Sequence, residues 1–257
     1  MSAAALGGRR VVVTRPAGQA THLQALIRAA GGEPLLFPAL EIFDARDLQP
    51  VYALIDRLEA FDLAIFISAN AADKALDLVH SRRAWPPALR VATVGEGSKR
   101  ALRRHGFAAV IAPSERFDSE GLLDLPELKD MAGKRVVIFR GEGGRELLGD
   151  TLAARGASVE YAECYRRGRP QADPAPLLAR YAHGALDAFT VTSSEGLANL
   201  HAMLGEAGWH CLRDTPLFAP HERIAAAARA LGIRTVVQTQ PGDEGLVRGL
   251  AAFFAKV

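Results

Sequence analysis

The residues able to do chemistry fall at one recurring kind of place. Six short stretches (14–15, 68–70, 95–98, 140–145, 193–194 and 220–223) each follow a strand-like apolar run and precede a helix-like one. All carry small, hydroxyl or cationic side chains. A helix start offers free backbone N–H groups and the positive end of a dipole. Ligands of open parallel α/β sheets bind beyond the carboxyl ends of the strands. The chemistry this pattern suits is the reception of carboxylates or other anions. The candidate binding residues are Thr14, Arg15, Ser68, Asn70, Ser98, Arg140, Gly141, Arg145, Ser193, Ser194, His221 and Arg223. Arg15 and Arg140 suit bidentate carboxylate binding, and equally a structural ion pair. Arg145 is expected to open a helix, where a cation opposes the dipole and an anionic ligand would relieve it. The serines double as helix N-caps. His221 is either an acid near neutral pH or a plain surface histidine.

Other chemistries find no support. Cys164 and Cys211 have no metal-ligand spacing and form no disulfide framework. The run Gly141-Glu142-Gly143-Gly144-Arg145-Glu146 holds only part of a dinucleotide fingerprint, because Glu146 takes the place of the last glycine.

The elements that position these residues are legible from periodicity. Residues 133–169 read as a buried strand, a Gly-rich turn, an amphipathic helix and a second strand ending at Tyr165. Residues 11–13 open an equivalent unit, with Leu23, Leu26, Ile27 and Ala30 on one helical face and Gly31 and Gly32 as its stop. Further strands are expected at 35–37, 63–67, 90–94 and 109–111, and helices at 51–58, 96–105 and 118–123.

The two units lie in register. With Val11 placed on Val136, Arg15 falls on Arg140, Gly18 on Gly143, Leu23 on Leu148, Ile27 on Leu152 and Gly31 on Gly156. Without a gap, Asp62 then falls on Asp187, Ser68 on Ser193 and residues 90–94 on 215–219. A one-residue slip brings Gly106 onto Gly232 and Val110 onto Val236. The chain is therefore an internal duplication with an offset of about 125 residues. Alternating strands and helices predict parallel sheets covered on both faces. The repeat leaves two arrangements open: plain tandem domains, or domains in which each first strand–helix–strand unit docks on the other half. In the second, the chain crosses near 39–46 and 164–170, both polar and Arg-bearing.

At 257 residues and 49% hydrophobic, the chain can bury two ordinary cores. A formal charge of +2 does not mark a nucleic-acid binder. The opening MSAAALGG reads as a short weak tail without the features of a secretory signal. No stretch approaches the ~18 unbroken apolar residues of a membrane span. A soluble cytoplasmic protein is expected, with monomer the default.

In order and spacing, VVVTRPAGQATHLQALIRAAGGEPLLFPALEI, FDLAIFISANAADKAL, VATVGEGSKRALRRHGF, GKRVVIFRGEGGRELLGDTLAARGASVEYAECYRR and LDAFTVTSSEGLANL resemble the uroporphyrinogen-III synthase family. The resemblance spans nearly the whole chain. It implies the exchanged arrangement: two flavodoxin-like parallel-sheet domains, 1–40 plus 170–257 and 45–165, joined by a two-stranded linker ladder. It implies a cyclising hydro-lyase without metal or organic cofactor. Hydroxymethylbilane would lose water and close to uroporphyrinogen III with inversion of ring D. The only partners implied are this small molecule and, transiently, the enzyme that forms it. The alternative is a non-catalytic two-domain binder of an acidic small molecule. Tyr165 matches the family's tyrosine after the second strand of this unit and would donate a hydrogen bond to the leaving hydroxyl; the alternative is a buried aromatic with its hydroxyl satisfied. Ser98 stands where the family often has threonine. The last turn departs from the family: His221 and Arg223 stand where many relatives carry hydroxyls, so no threonine role carries over there.

Overall fold

A computed structural model describes residues 5–256. Along the chain run β1 (Arg10–Val13), α1 (Ala17–Ala29), β2 (Glu33–Leu36), β3 (Glu41–Asp44), α2 (Gln49–Ile55), β4 (Leu63–Phe66), α3 (Ala69–His80), β5 (Arg90–Thr93), α4 (Glu96–Arg104) and α5 (Ser119–Leu123). Then come β6 (Arg135–Gly141), α6 (Leu147–Ala154), β7 (Ser158–Gly168), α7 (Ala175–Ala182), β8 (Ala188–Thr190), α8 (Ser194–Leu204), α9 (Trp209–Asp214), β9 (Leu217–Ala219), α10 (Glu222–Ala230), β10 (Val236–Gln238) and α11 (Asp243–Phe254). They divide into two compact units, residues 5–41 with 168–256, and residues 42–167.

Each unit holds one five-stranded sheet. Unit one has the order β10-β9-β8-β1-β2, and unit two has β3-β7-β6-β4-β5. The first strand–helix–strand unit of each half therefore stands in the sheet built by the other half. Register shows the duplication directly. Val11 pairs with Ala188 and Leu63 with Val136; Arg10 pairs with Glu33 and Arg135 with Ser158. Both pairs of partners differ by the same offset: 136 − 11 and 188 − 63 each give 125.

The slip enters earlier than the sequence register suggests. Ala64 pairs with Val91, but Phe189 pairs with Leu217, so the added residue lies before β9 rather than after it.

The strands are short apolar runs because both faces of each sheet are covered. Val12, Phe189 and Leu217 enter one core of unit one, and Val11, Val13, Ala188 and Phe218 enter the other. Unit two repeats this with Phe66, Val137 and Phe139 on one face, and Leu63, Ile65 and Ile138 on the opposite one. Alternation along a strand, with both sides buried, gives this continuous apolar reading.

Equivalent aspartates clamp the exchanged strands. Asp187 accepts the Arg10 backbone N–H at 2.8 Å and returns its own N–H to the Arg10 carbonyl at 2.9 Å. Asp62 does the same with Arg135, at 2.8 and 2.9 Å. Only Asp187 adds the guanidiniums of Arg10 and Arg9, at 2.7 and 3.2 Å.

Several expectations are corrected. The helix after the Gly-rich turn starts at Leu147, so Arg145 lies in the turn and not in a first helical turn. Gly143 and Gly144 have φ of +69° and +114°, a left-handed pair that a right-handed helix cannot absorb. The strand expected to end at Tyr165 continues to Gly168, and the polar stretch around 39–46 contains β3, which lies beside β7. The chain passes between the two units within these stretches, at 41/42 and 167/168. Residues 109–111 make a single bridge, Ile111 with Ala92, instead of a strand. In the opening tail, Leu6 is buried and its N–H bonds the Ala30 carbonyl at 2.8 Å; residues 1–4 lie outside the described residues.

Candidate functional site

In unit two the turns after β4, β5 and β6 share the carboxyl edge of the sheet, because their strands are parallel neighbours. Ser68 caps α3: its Oγ accepts the Ala71 N–H at 2.9 Å. The same Oγ lies 3.0 Å from the Tyr165 hydroxyl. Tyr165 is only 4% exposed and packs with the apolar core. Its ring lies against Gly141, where a Cβ would fall 2.7 Å from the ring, so only glycine admits this packing. A bulge between Arg140 and Gly141 sets Gly141 opposite Tyr165. Ser68, Gly141 and Tyr165, far apart in sequence, are thus brought together. Asn70 is half-buried in the first turn of α3, and Ser98 is buried on α4.

Arg140 does not reach outward. It is 4% exposed, and its Nε donates to the Gly143 carbonyl at 3.0 Å. Its guanidinium stands over the Tyr161 ring at 4.9 Å. The side chain holds the Gly-rich turn from within, which corrects the expectation of a carboxylate contact there. Arg145 is exposed in that turn.

Unit one presents the equivalent edge differently. Thr14 is buried, and its hydroxyl donates to the Thr190 carbonyl at 2.8 Å. Thr190 returns a bond to the Val12 carbonyl at 3.0 Å. The Thr14 side chain is therefore consumed inside the sheet, again against expectation. Arg15 pairs with Asp243 at 2.7 Å. Asp243, on the last helix, is the partner that sequence reading missed; a carboxylate in the first turn of a helix was the available signal. Ser193 caps α8 through the Gly196 N–H at 2.9 Å, the copy of the Ser68 cap. Ser194 Oγ is shielded and has no hydrogen-bond partner among the described residues. His221 and Arg223 are exposed at the start of α10, and the His221 side chain makes no cap.

Neither cysteine is poised as a nucleophile. Burial pushes the thiols of Cys164 and Cys211 up to about 12, which leaves them protonated. Among the described residues, no cluster of three or more His, Cys, Asp or Glu could hold a metal ion. No helix among them is long and apolar enough to cross a membrane.

Two units, each a five-stranded α/β sheet completed by strands from the other half of the chain, with hydroxyl-capped helices at the carboxyl edges, define a class of two-domain α/β proteins. Comparison with known proteins narrows it. The family model described as "Uroporphyrinogen-III synthase HemD" matches residues 21–248. The uroporphyrinogen-III synthase of Salmonella typhimurium (strain LT2) is 35% identical over 93% of this chain and 99% of its own length. That of Escherichia coli (strain K12) is 34% identical over the same shares. Among solved structures, a mutant uroporphyrinogen III synthase from the extremely thermophilic bacterium Thermus thermophilus aligns with a TM-score of 0.60 at 19% identity, covering 97% of this chain and all of its own. The Helicobacter pylori enzyme aligns with a TM-score of 0.58 at 16% identity over 96% of this chain and 98% of its own. These structures share the fold. The chain belongs to the uroporphyrinogen-III synthase family.

Proposed function

We propose that this protein dehydrates and cyclises hydroxymethylbilane to uroporphyrinogen III with inversion of ring D, as a hydro-lyase of tetrapyrrole biosynthesis. The observation that carries this reading is the end-to-end match to curated synthases at 34–35% identity. The edge geometry agrees with it. A flexible polyanion that can close without help needs to be held in one conformer more than it needs a strong acid or base. Helix starts at the carboxyl edges supply oriented N–H donors, and the exposed side chains of Arg145, Arg223 and His221 stand at the same edges.

Loss of water asks for a donor to the leaving hydroxyl. Tyr165 is buried, so we assign the outward step to Ser68. Ser68 Oγ can accept two hydrogen bonds, from the Ala71 N–H and from the Tyr165 O–H. Its own proton is then left to point at the substrate. In this reading Tyr165 sets the direction of the Ser68 O–H, which hydrogen-bonds the departing hydroxyl; as the carbon–oxygen bond breaks, the pyrrole nitrogen's electron pair makes good the loss at carbon, and a proton from solvent completes the water. The bilane-forming enzyme would hand over the substrate by transient contact, in the cytoplasm.

The test is to mix the protein with enzymatically generated hydroxymethylbilane, oxidise the product and separate the isomers. Isomer III in excess is expected. Isomer I alone, formed at the uncatalysed rate, sinks the reading and favours a non-catalytic binder.

A further inference from the structure

Both units build the same turn ahead of a helix, α5 in unit two and α11 in unit one. In unit two it spans residues 116–121, and in unit one residues 240–245. A Cβ on Gly121 would run into the Arg116 carbonyl, and one on Gly245 into the Gln240 carbonyl. The glycine in each case lets the helix start press on the residue five positions back. This equivalence sets Phe117 against Pro241, Asp118 against Gly242 and Ser119 against Asp243.

The two turns diverge in what they show to solvent. Unit one places Asp243 here and spends it on Arg15. Unit two has Ser119 at that point and exposes Phe117 at 53%. A phenyl ring left in water forgoes the gain from burial, and this one stands at the edge where ligands of parallel α/β sheets bind. The turn that carries it is braced. The Arg116 Nε donates to Asp118 Oδ2 at 2.7 Å, and the Gly121 N–H donates to Asp118 Oδ1 at 2.8 Å. The ring belongs to the carboxyl edge, because a Cβ on Gly95 would lie 3.8 Å from the Phe117 Cβ, over the turn between β5 and α4. Cations flank it. Arg116 belongs to this turn, and the turn that carries Arg145 lies beside it, because α5 and α6 pack together through Leu122, Leu123, Leu148 and Leu152 in one core. The Gly121 N–H, then Arg116 and Arg145, hold the Asp118 carboxyl below the usual carboxylate range. Arg145 itself is exposed, with no carboxylate at ion-pair distance among the described residues.

Resting on the functional reading above, we propose that Phe117 is a pyrrole-ring contact of the substrate and that Arg145 takes a carboxylate carried by that ring. A pyrrole is a flat, electron-rich ring whose rim bears acetate and propionate groups. A phenyl offers it an edge-to-face or offset contact, and a neighbouring guanidinium meets the rim. The role is binding and orientation; no proton moves through either residue.

The experiment measures steady-state kinetics and product isomers for the wild type, Phe117→Ala, Phe117→Tyr and Arg145→Ala, each with its thermal melt. For Phe117→Ala, KM rises roughly three- to tenfold with kcat changed far less. The share of isomer I in its product rises, and the melt is unchanged because the ring is exposed. Phe117→Tyr keeps the flat ring and restores wild-type behaviour. Arg145→Ala raises KM without touching the melt. Wild-type KM and isomer ratio in Phe117→Ala overturn the proposal while leaving the activity standing. Loss of self-association in Phe117→Ala, with kinetics unchanged, overturns it in favour of a contact between copies. A wild type that yields no isomer III fails at the first step, and so refutes the functional reading itself.

Discussion

Arg15 and Arg140 sit at the same point of two sheets that share one register, yet they do opposite things. Arg15 reaches across to Asp243 at 2.7 Å, 228 residues away in sequence (243 − 15). Arg140 folds back into its own turn, donates to the Gly143 carbonyl and covers Tyr161. The difference follows from two neighbours. Unit two has Ser119 where unit one has Asp243, so Arg140 has no carboxylate to meet there. It also has Gly143 and Gly144, whose left-handed backbone turns carbonyls toward the guanidinium. The duplicated backbone is kept, and its cationic position is silenced twice by different means. Exposed guanidiniums remain at Arg145, five residues past Arg140, and at Arg223 in the first turn of α10.

The aspartate clamps sharpen the contrast most. The Asp187 side chain is 10% exposed and holds Arg10 and Arg9; Asp62 is 44% exposed and holds Lys134 at 3.5 Å. Asp187→Ala should cost about 3 kcal/mol, since it strands two guanidiniums and a strand N–H. Asp62→Ala should cost less than half of that. Urea unfolding of the two variants decides the matter, and equal losses would erase the asymmetry.

Next in size is the Arg15–Asp243 pair. Arg15→Ala leaves a nearly buried carboxylate alone and should cost about 2 kcal/mol. Asp243→Asn in the same chain should recover part of that loss. Additive single effects in the double-mutant cycle would mean the pair is not coupled.

Tyr165→Phe tests the polar couple at the edge of unit two. Loss of the bond to Ser68 should lower stability by about 1 kcal/mol. Turnover should fall about tenfold, and Ser68→Ala should match or exceed that fall. Unchanged turnover in both variants removes the pair from the mechanism.

The smallest effect is on acid stability. Burial pushes the Asp187 carboxyl up, but hydrogen bonds from the Arg10 side chain and backbone, and from Arg9, outweigh it and leave the group below its ordinary value. The Arg135 backbone N–H lowers Asp62, against a smaller upward push from burial. For a depressed carboxylate, the folded state binds fewer protons than the unfolded chain. Its stabilisation is therefore present above the unfolded pKa and lost as pH falls through the folded one, below about pH 4. Unfolding measured from neutral to acid pH should show a shallower acid loss in Asp187→Asn than in the wild type. An identical acid limb would sink the linkage.

The helix caps were legible before any fold. Ser68 and Ser193 announced themselves as caps because a hydroxyl before a periodic apolar run satisfies N–H groups three residues on. Arg140, Thr14 and Phe117 were not legible. Whether a polar side chain at a strand end points to solvent or into the sheet depends on the bulge, the neighbouring carbonyls and the packing above it. Arg145 was misplaced for a local reason: the paired glycines delay the helix by two residues, and helix starts are the least certain part of a periodic reading.

The amino-acid sequence by itself determined the strands, the helices, their caps and the duplicated register, because each depends on short-range periodicity and repeated spacing. Only the tertiary structure decided which half of the chain each opening unit joins. The central strands are apolar runs that either sheet could bury, so local pattern does not choose between them. Aspartates 187 and 62 close the strands of the other half at long range. The same level decided that two arginines at equivalent positions are spent inside the fold, and that an exposed phenyl ring stands on a braced turn of one unit alone.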